Sequence, residues 1–529
     1  MFNHRFTFSC LSLIFCSCAV LAAQRSAFQP PTSGAAAWWA QVTALSSDEM
    51  EGREAGTAAY ERAAKYVANQ FSQAGLLPGG EGGTFFQQVA MRQVDVDSTR
   101  STFTLVREDG PTDTLTFLQE WTVIANANLP REIAGAMTFL GYGLDPSGTN
   151  LAESNLSGKV AVYFNGAPAN LSLAEANAFS ALRSKLLRTS GAIATVAIAN
   201  PANLEPTRWP YAYARSVSLA ESPAQPNAQA SITISAASAA KLFGAAQSYA
   251  ALLRDGKEGK PLPSFPLQGS LRLHFLVTQK EIFSSNILAV LPGSDSALAG
   301  EYVALSAHLD GYGYGTPVNG DSLYNGTLDD AAYVATLTEL ARETAALPKE
   351  SRPRRSLLFC IFTAEEKGLL GSAYFTAHPT VAKTAVVANL NLDQLRPIFP
   401  LRALTMHGLK DSTLADMTRS VAGKFGIEIR PDLEPSRRLP ARVDSANFAK
   451  IGVPFASFIF AYDLGSPEEA ITRDWFNRRY HRPQDDLDTP IDWEAAVKFN
   501  RFYGALALAV ANNVEKPVWL PASLYAPRQ

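Results

Sequence analysis

Several short stretches of this sequence place carboxylate or imidazole side chains where a predicted strand ends, where a predicted helix begins, or in the polar loop before the last predicted helix. They contain His308 with Asp310, Asp329 with Asp330, Glu365 with Glu366, Asp393, and Tyr480 with His481. Taken singly, most are explained more simply as a buried histidine, a helix cap, a solvated helix start or an exposed loop histidine, whereas Asp393 after an apolar run fits a functional role equally well. Functional groups gather at the carboxyl ends of strands in α/β sheets. The repetition of such groups at independent strand ends therefore indicates a functional site.

Two imidazoles and three carboxylates from these stretches form one set of nitrogen and oxygen ligands: His308, Asp329, Glu366, Asp393 and His481. This ligand type is typical of catalytic zinc sites. Five protein ligands exceed the need of one catalytic zinc, and they suit two ions about 3.5–4 Å apart, sharing a carboxylate and a water. Glu365 would point elsewhere and could take a proton from that water. The Asp310 carboxylate could accept from the distal ring nitrogen of His308.

Alternating strand and helix patterns follow residue 284, and they predict a largely parallel sheet covered by helices. Upstream, residues 37–75 are predicted to be helical, with Thr57 as a helix cap, and residues 85–129 alternate as half-buried strands do. The pattern of apolar and polar residues changes near Ile133, where an α/β or β-rich module is predicted. The predicted organisation is a signal peptide at 1–23, one domain formed by the segments 24–132 and 284–529, and an inserted module at 133–283.

Composition limits the classes of function. The 529 residues are 47% hydrophobic and 18% charged, with a formal net charge of −3. These values favour a packed core, and the charge provides no overall field that would attract nucleic acid or an anionic membrane. Three of the four cysteines precede residue 19, which leaves Cys360 alone in the body of the chain. An internal disulfide or a multi-thiolate zinc site is therefore excluded there.

The N-terminus resembles an export signal. His4 and Arg5 precede an apolar run that ends in Ala22 and Ala23, a pattern typical of a secretory signal peptide. We expect cleavage near Ala23 and a periplasmic or extracellular protein, with lipid attachment at Cys18 as the weaker alternative. No later segment approaches 18 consecutive apolar residues, so no stable membrane span is expected in the mature chain.

At the candidate ligands the sequence resembles the co-catalytic zinc exopeptidases of the bacterial leucyl aminopeptidase and glutamate carboxypeptidase type (clan MH, aminopeptidase Y family). The stretches that carry the resemblance are Ser306-Ala-His-Leu-Asp, Asn325-Gly-Thr-Leu-Asp-Asp, Thr363-Ala-Glu-Glu-Lys-Gly, Asn391-Leu-Asp and Tyr480-His. The segment 45–57 is also similar to the N-terminal segment of that family. Gly141-Tyr-Gly and Leu156-Ser-Gly-Lys-Val resemble the protease-associated domain inserted in many members. The resemblance implies the zinc exopeptidase fold, an α/β sheet sandwiched by helices.

Transferred by motif, the resemblance implies two zinc ions per chain. His308 and Asp393 would bind one ion, Glu366 and His481 would bind the other, and Asp329 would bridge them.

Further roles are implied by the same resemblance. Asp310 would orient a ligand histidine, Glu365 would act as general base, and Tyr480 would help stabilise the oxyanion of the tetrahedral intermediate. Three positions depart from the family pattern, and one of them is Gly311, where relatives often have His. Asp330 stands where many members carry Asn, and Ser445 stands where many carry a histidine that is not a ligand.

The leading hypothesis is a secreted dinuclear zinc aminopeptidase that removes N-terminal residues from peptides with a free N-terminus. A carboxypeptidase for acidic C-termini is an alternative, because five arginines could supply a carboxylate clamp: Arg396, Arg402, Arg437, Arg438 and Arg442. A glutaminyl-cyclase-like enzyme with one zinc and a receptor ectodomain without activity are the others. The oligomeric state is left open. Structural roles are predicted for the remaining body histidines, His274, His378 and His407.

Overall fold

The computed structural model describes residues 33–107, 110, 112–145, 151, 155–199, 208–223, 229–243 and 248–526. The predicted signal peptide at 1–23, with Cys10, Cys16 and Cys18, lies outside these residues. None of the helices in the described ranges is long and apolar enough to cross a membrane.

Strands predominate between residues 77 and 324 of the described chain, whereas helices and strands are interspersed from residue 332 onward. The α-helices are α1 (Ser33–Ser46), α2 (Ala58–Gln73), α3 (Leu173–Thr189), α4 (Ala236–Ala239), α5 (Tyr249–Lys257), α6 (Ala332–Ala345), α7 (Leu370–Ala377), α8 (Leu414–Lys424), α9 (Ser445–Lys450), α10 (Pro467–Arg478) and α11 (Trp493–Asn512). The strands are β1 (Leu77–Pro78), β2 (Phe86–Val96), β3 (Thr102–Val106), β4 (Asp113–Leu115), β5 (Trp121–Val123), β6 (Glu132–Phe139), β7 (Val160–Phe164), β8 (Ala194–Ile198), β9 (Arg215–Leu219), β10 (Ala230–Ile234), β11 (Phe265–His274), β12 (Val277–Leu291), β13 (Tyr302–His308), β14 (Gly313–Val318), β15 (Asp321–Tyr324), β16 (Ser356–Phe362), β17 (Val386–Asn391), β18 (Ala403–His407), β19 (Glu428–Arg430) and β20 (Phe455–Phe460).

The larger sheet is mixed, and its centre is parallel. Its order is β19-β18-β20-β17-β13-β16-β12-β2-β9, with β1 paired to β12. Strands β16, β13, β17 and β20 pair in parallel, whereas β12, β2 and β9 are antiparallel to their neighbours on one side and β18 is antiparallel to β20 on the other. The predicted α/β fold is confirmed. The four parallel strands bring their carboxyl ends to one edge, where ligands bind in such sheets.

Helices cover both faces of this sheet, and the period of two along each strand explains why. In β16, Leu357, Phe359 and Ile361 belong to the core under α1, α2, α6 and α11. The intervening Leu358, Cys360 and Phe362 belong to the opposite core, with Phe375 of α7 and Phe448 of α9. Successive side chains point to opposite faces of a strand. A strand buried on both faces therefore becomes a continuous apolar run, as this one is.

Helix α2 shows how local sequence places an element on the sheet. The predicted cap is confirmed, because the Thr57 hydroxyl accepts the backbone N–H of Tyr60 at 3.2 Å. The apolar face of the helix, which includes Tyr60, Val67 and Phe71, is buried against the sheet. Burying three such side chains contributes about 1.5–3 kcal/mol each.

A second sheet has its own core and the order β4-β3-β11-β6-β7-β8-β10-β5. It contains β3, β4 and β5, which lie before residue 133, while β9, from within 133–283, pairs with β2 of the larger sheet. The second sheet thus begins earlier than the predicted inserted module, and β12, which starts at Val277, belongs to the larger sheet. Assignment of this region as an inserted, protease-associated domain stays a prediction.

Candidate metal centre

Three adjacent parallel strands deliver most of the predicted site residues to one edge of the larger sheet. His308 is the last residue of β13, Glu365 and Glu366 follow β16, and Asp393 follows β17. Asp329 lies in the irregular turn Thr327–Ala331 that leads into α6, and His481 follows α10. The sheet edge explains why residues spread over more than 170 positions meet in one place.

The five predicted ligands form two groups that share one carboxylate. His308, Asp329 and Asp393 make one group, and Asp329, Glu366 and His481 make the other, with candidate ligand atoms within 4.8 Å of one another in each. The Nε2 atom of His308 lies 3.2 Å from Asp329 Oδ1, and His481 Nε2 lies 3.3 Å from Asp329 Oδ2. The second imidazole is also 3.2 Å from Glu366 Oε2. Asp329 thus directs one oxygen to each group.

Several of these buried polar atoms have no hydrogen-bond partner in the described part of the chain. They are Nε2 of His308, both carboxylate oxygens of Asp329 and Oδ1 of Asp393. Their side chains are only 1%, 3% and 7% exposed. Buried polar atoms are nearly always paired, because burying them unpaired is costly. Orphaned lone pairs that converge in this way fit divalent metal ions.

The charge of the cluster points to the same conclusion. Burial raises the pKa of both Glu365 and Glu366 well above their ordinary value. Burial, reinforced by Asp329 and Asp444, raises the pKa of Asp393 to about 7. Burial also opposes ionisation of Asp329, but the two neighbouring histidines outweigh it and lower the pKa of that carboxyl. Without cations the site holds more carboxylates than it can keep ionised, and two divalent ions would remove that penalty.

The ring of His308 is oriented by a backbone carbonyl. Its Nδ1 lies 3.0 Å from the carbonyl oxygen of Asp310 and 3.8 Å from the carboxylate of the same residue. A carbonyl oxygen only accepts, so the neutral ring donates from Nδ1 and keeps the Nε2 lone pair for a metal. The sequence predicts that the Asp310 carboxylate, and not its backbone carbonyl, accepts this hydrogen bond. That carboxylate instead accepts the backbone N–H groups of Glu365 and Glu366, at 2.9 and 3.3 Å.

His481 is oriented by a residue that the sequence analysis does not include. The hydroxyl of Tyr312 lies 3.0 Å from His481 Nδ1, and their rings are 4.7 Å apart. Burial lowers the pKa of His481, which favours the neutral ring that metal binding needs. When Nδ1 donates to the phenol oxygen, Nε2 keeps its lone pair. No motif near residue 312 predicts this contact, because it joins positions 169 apart.

Tyr480 lies beside the metal centre but holds a hydrogen bond of its own. Its hydroxyl accepts from Gln394 Nε2 at 3.0 Å, and its ring lies 3.7 Å from the ring of His481. Burial raises the pKa of the phenol well above its ordinary value, so the hydroxyl keeps its proton. The structure places this O–H donor in the wall of the same cavity as Glu365.

Arg53 joins the loops that carry the candidate ligands. Its fully buried guanidinium donates to the carbonyl oxygens of Leu309 (2.9 Å), Leu45 (2.6 Å), Asn325 (2.7 Å) and Gly326 (2.8 Å). The first of these follows His308, and the last two precede Asp329. Arg53 lies in the segment 45–57, which is similar to the N-terminal segment of the family, but the sequence predicts no role for this residue. A buried arginine bound only to distant carbonyls leaves no local pattern.

Asp485 supports the bridging carboxylate from the other side. Its carboxylate accepts the backbone N–H of Leu328 at 3.1 Å and of Asp329 at 3.0 Å. Burial, together with the charge of Asp329, raises its pKa to about 7. The sequence does not predict this contact. Asp485 lies four residues after His481, in a stretch that resembles an ordinary polar loop.

The segment 208–216, which precedes and enters β9, packs against the metal centre. Arg482, next to His481, donates to the carbonyl oxygens of Trp209 and Pro210 at 2.9 and 2.7 Å. Lys367, next to Glu366, is bound to the Tyr213 hydroxyl and lies 3.3 Å from Glu54. This segment therefore holds residues that adjoin two candidate ligands.

Two of the departures from the family pattern, Asp330 and Ser445, lie close to the site. The Asp330 carboxylate accepts the backbone N–H of His308 at 3.1 Å, which is a supporting contact and not a ligand position. Ser445 begins α9 and is fully buried, and the preceding Asp444 has its pKa raised to about 6 by burial.

A cavity of about 390 Å³ opens beside the candidate ligands. Its lining includes Glu365, Asp393 and His481, and it also includes Arg396 and His407. The sequence predicts a structural role for this last histidine because no carboxylate accompanies it in the chain. The structure places it in the cavity wall, whereas His274 and His378 are absent from that wall.

Residues 286–507 match the sequence profile of peptidase family M28. This part of the chain is therefore similar to an M28 peptidase domain. The matched range contains all five candidate ligands. It agrees with the predicted exopeptidase resemblance.

Curated relatives are similar over part of their length. The aminopeptidase NAALADL1 of Rattus norvegicus is 26% identical over 226 residues, which cover 41% of this chain and 28% of that protein. The aminopeptidase YwaD of Bacillus subtilis is 25% identical over 193 residues, 36% of each protein. The matched segment thus spans little more than a quarter to a third of these relatives.

Solved structures are similar over nearly the whole chain. An aminopeptidase from Aneurinibacillus sp. strain AM-1 superposes with a TM-score of 0.57 at 19% identity, covering 94% of this chain and 97% of that one. An M28 peptidase precursor from Shewanella amazonensis gives 0.55 at 17% identity, covering 93% and 97%. At such identities the likeness establishes the shared fold.

Proposed function

We propose that this chain is a dinuclear zinc aminopeptidase. The observation that carries the proposal is Asp329, whose two orphaned oxygens face two separate imidazoles at 3.2 and 3.3 Å. A carboxylate shared in this way, with a histidine and a second carboxylate on each side, suits two metal ions a short distance apart. Nitrogen and oxygen ligands without thiolates suit zinc in a catalytic role.

Zinc bound at these ligands would act as a Lewis acid on the scissile carbonyl and lower the pKa of water. Glu365 is suited to general-base work, because its side chain lines the cavity and burial raises its pKa, which makes it a stronger base than a free carboxylate. Its Oε2 lies 4.0 Å from Nε2 of His308, close to the centre without belonging to either ligand group. It would accept a proton from the attacking water and return it to the leaving amine. The Tyr480 hydroxyl would donate to the developing oxyanion.

The names of similar proteins support a peptidase that acts at chain ends. Both curated relatives described above are called aminopeptidases, and a solved relative from Bacillus subtilis is titled a zinc aminopeptidase. That structure gives a TM-score of 0.54 at 18% identity, over 89% of this chain and 94% of that one.

The decisive experiment uses matched peptides on the zinc-loaded protein. One peptide is prepared with its N-terminus free or acetylated, and each form with its C-terminus free or amidated. An aminopeptidase cleaves both free-amine forms, releases the first residue and spares both acetylated forms. Cleavage that requires a free C-terminus instead would replace the proposal with a carboxypeptidase, a candidate favoured by Arg396 in the cavity wall.

Glu365→Gln tests the assigned general base. We expect kcat to fall by about 10²–10⁴-fold, the usual contribution of a positioned acid or base, with zinc content unchanged. Glu343→Gln is the matched control, because this glutamate is 68% exposed on α6, away from the cavity wall. Equal activities of the two variants would contradict the assignment.

We also propose that the protein is exported, with residues 1–23 as the signal. Expression of the full chain in a bacterial host and N-terminal sequencing of the secreted or periplasmic product tests this. A product that begins near Gln24 supports export. Retention of the apolar run on cytosolic protein contradicts it.

A further inference from the structure

The cavity beside the metal centre contains basic groups that the proposed reaction does not use. Besides the candidate base and ligands, the lining of this cavity of about 390 Å³ includes Arg396, Arg437, Arg442, His407 and Ser457. A pocket built only for an apolar side chain would not need arginines, since burying a cation is costly. Their presence calls for a ligand with negative charge.

Arg396 is the strongest of these groups. It is 3% exposed, and its guanidinium lies over the rings of Phe476 and Trp475, at 4.2 and 5.1 Å from their centres. Its side chain reaches Gln394 Oε1 only at 3.5 Å, the limit of a hydrogen bond. In the described ranges no carboxylate forms an ion pair with it. Planar N–H donors that remain available suit a carboxylate, which arginine binds in a fork.

His407 supplies a second donor in the same wall. It is 4% exposed, and its Nδ1 lies 3.0 Å from the Ser457 hydroxyl. Its Nε2 has no hydrogen-bond partner within the part of the chain that the structure describes, and the nearest carboxylate, Asp432, is 3.9 Å away. Burial lowers the pKa of the ring to about 4, so it is neutral at pH 7. With Ser457 donating to Nδ1, the Nε2–H is left as a donor.

The other charges around these two residues set the balance of the cavity. Arg437 lies 3.7 Å from Glu434, which also binds Arg473. Arg396 stabilises ionised Asp393 at longer range. Metal ions would neutralise Asp393 and Glu366, so the loaded site would leave the cation of Arg396 facing the cavity.

Resting on the aminopeptidase function proposed above, we propose that this cavity binds a carboxylate group of the peptide substrate through Arg396 and His407. Two parts of a peptide can supply that group. One is the side chain of an N-terminal aspartate or glutamate, and the other is the C-terminal carboxylate of a dipeptide. Both bring the same chemistry to the same donors.

Two substrate pairs tell the sources apart on the zinc-loaded wild type. Glutamyl and glutaminyl 4-nitroanilides differ only in the side-chain charge, and Leu-Gly and Leu-Gly-amide differ only in the C-terminal charge. We expect the charged member of one pair to have the higher kcat/KM by about 10- to 100-fold, the worth of a charge-assisted hydrogen bond. The first pair identifies a side-chain subsite, and the second identifies a C-terminal subsite. Ratios within about twofold in both pairs would overturn the proposal.

Arg396→Gln separates binding of a carboxylate from support of the metal centre. We expect the preference to disappear in this variant, to return in part in Arg396→Lys, and to persist in the exposed control Arg402→Gln. A uniform fall for all four substrates, with the ratios kept, would show that Arg396 acts only through Asp393 and would overturn the proposal.

Binding to the wild type decides the matter if the variants do not fold. Calorimetry with L-glutamate and L-glutamine, and with Gly-Gly and Gly-Gly-amide, should show tighter binding of the charged member of one pair. Equal affinities in both pairs would overturn the carboxylate subsite. Failure of the aminopeptidase proposal has a different signature, since a folded, zinc-loaded protein would then hydrolyse none of the four substrates while the calorimetry still reports on the cavity.

Discussion

Replacing Arg53 by methionine tests how the N-terminal segment holds the metal centre together. The guanidinium donates to four backbone carbonyls at 2.6–2.9 Å, one in the last turn of α1 and the others in the loops after β13 and before α6. Methionine keeps much of the apolar stem but none of the donors. The carbonyls of Leu309 and Asn325 would then lose this donor, whereas the carbonyl of Gly326 would keep the backbone N–H of Ala331 at 3.3 Å. Because these loops lead directly to His308 and Asp329, stability and metal affinity should fall together.

The size of the effect follows from burial. Arg53 is fully buried, and that burial lowers its pKa to about 10, which still leaves it charged at neutral pH. Hydrogen bonds to a charged group contribute about 1.5–3 kcal/mol each, but bonds made by one side chain are not additive, and removing a buried cation relieves part of its desolvation. We expect Arg53→Met to lower the free energy of unfolding by about 3–5 kcal/mol.

Urea unfolding followed by tryptophan fluorescence, in chelator and then with zinc, measures both quantities. Zinc affinity should fall at least about tenfold, as it does when the supports of ligands are removed. Arg62→Met is the matched control, because that arginine is 45% exposed and donates to Glu49 at the surface. Its unfolding free energy should change by less than about 0.5 kcal/mol. If Arg53→Met lowers the free energy of unfolding by less than about 1 kcal/mol and leaves zinc affinity unchanged, Arg53 does not hold the metal centre together.

Two further predictions concern the metal ligands. Tyr312→Phe removes the oxygen 3.0 Å from His481 Nδ1 and should weaken zinc binding about 10- to 100-fold in a competition titration, whereas the 58%-exposed Tyr314→Phe should not; equal affinities would contradict the orienting role. Asp393 has its pKa raised to about 7, so its contribution to the stability of the metal-free protein is present below about pH 4 and is lost as pH rises through about 7. Zinc affinity should instead rise with pH over this window, because the ion displaces the proton, and a flat profile would count against this.

The ligands could be predicted from sequence because each belongs to a local pattern that the fold repeats. His308 and Asp393 end or follow apolar strands, and Glu366 follows the apolar run of β16. Parallel pairing of those strands then brings the groups together, as an alternating strand and helix pattern predicts. The shared role of Asp329, with its two oxygens facing different histidines, is visible only in three dimensions.

The residues that support the ligands could not be predicted from the sequence, because they belong to no local pattern. Arg53 and Asp485 act on backbone groups far away in the chain, and such contacts leave no spacing to detect. His407 resembles a structural strand residue until the fold places its Nε2 in the cavity wall without a partner in the described residues. Strand β3 alternates as β2 of the larger sheet does, so its pattern could not show that it belongs to the second sheet.

Anomalous X-ray diffraction at the zinc edge, on crystals grown with zinc, is the most direct test of the proposed dinuclear zinc centre. We expect two zinc peaks per chain about 3.5–4 Å apart. One peak should lie near His308 and Asp393 and the other near Glu366 and His481, with Asp329 between them. A single zinc peak at these ligands, or zinc bound only elsewhere on the chain, would contradict it.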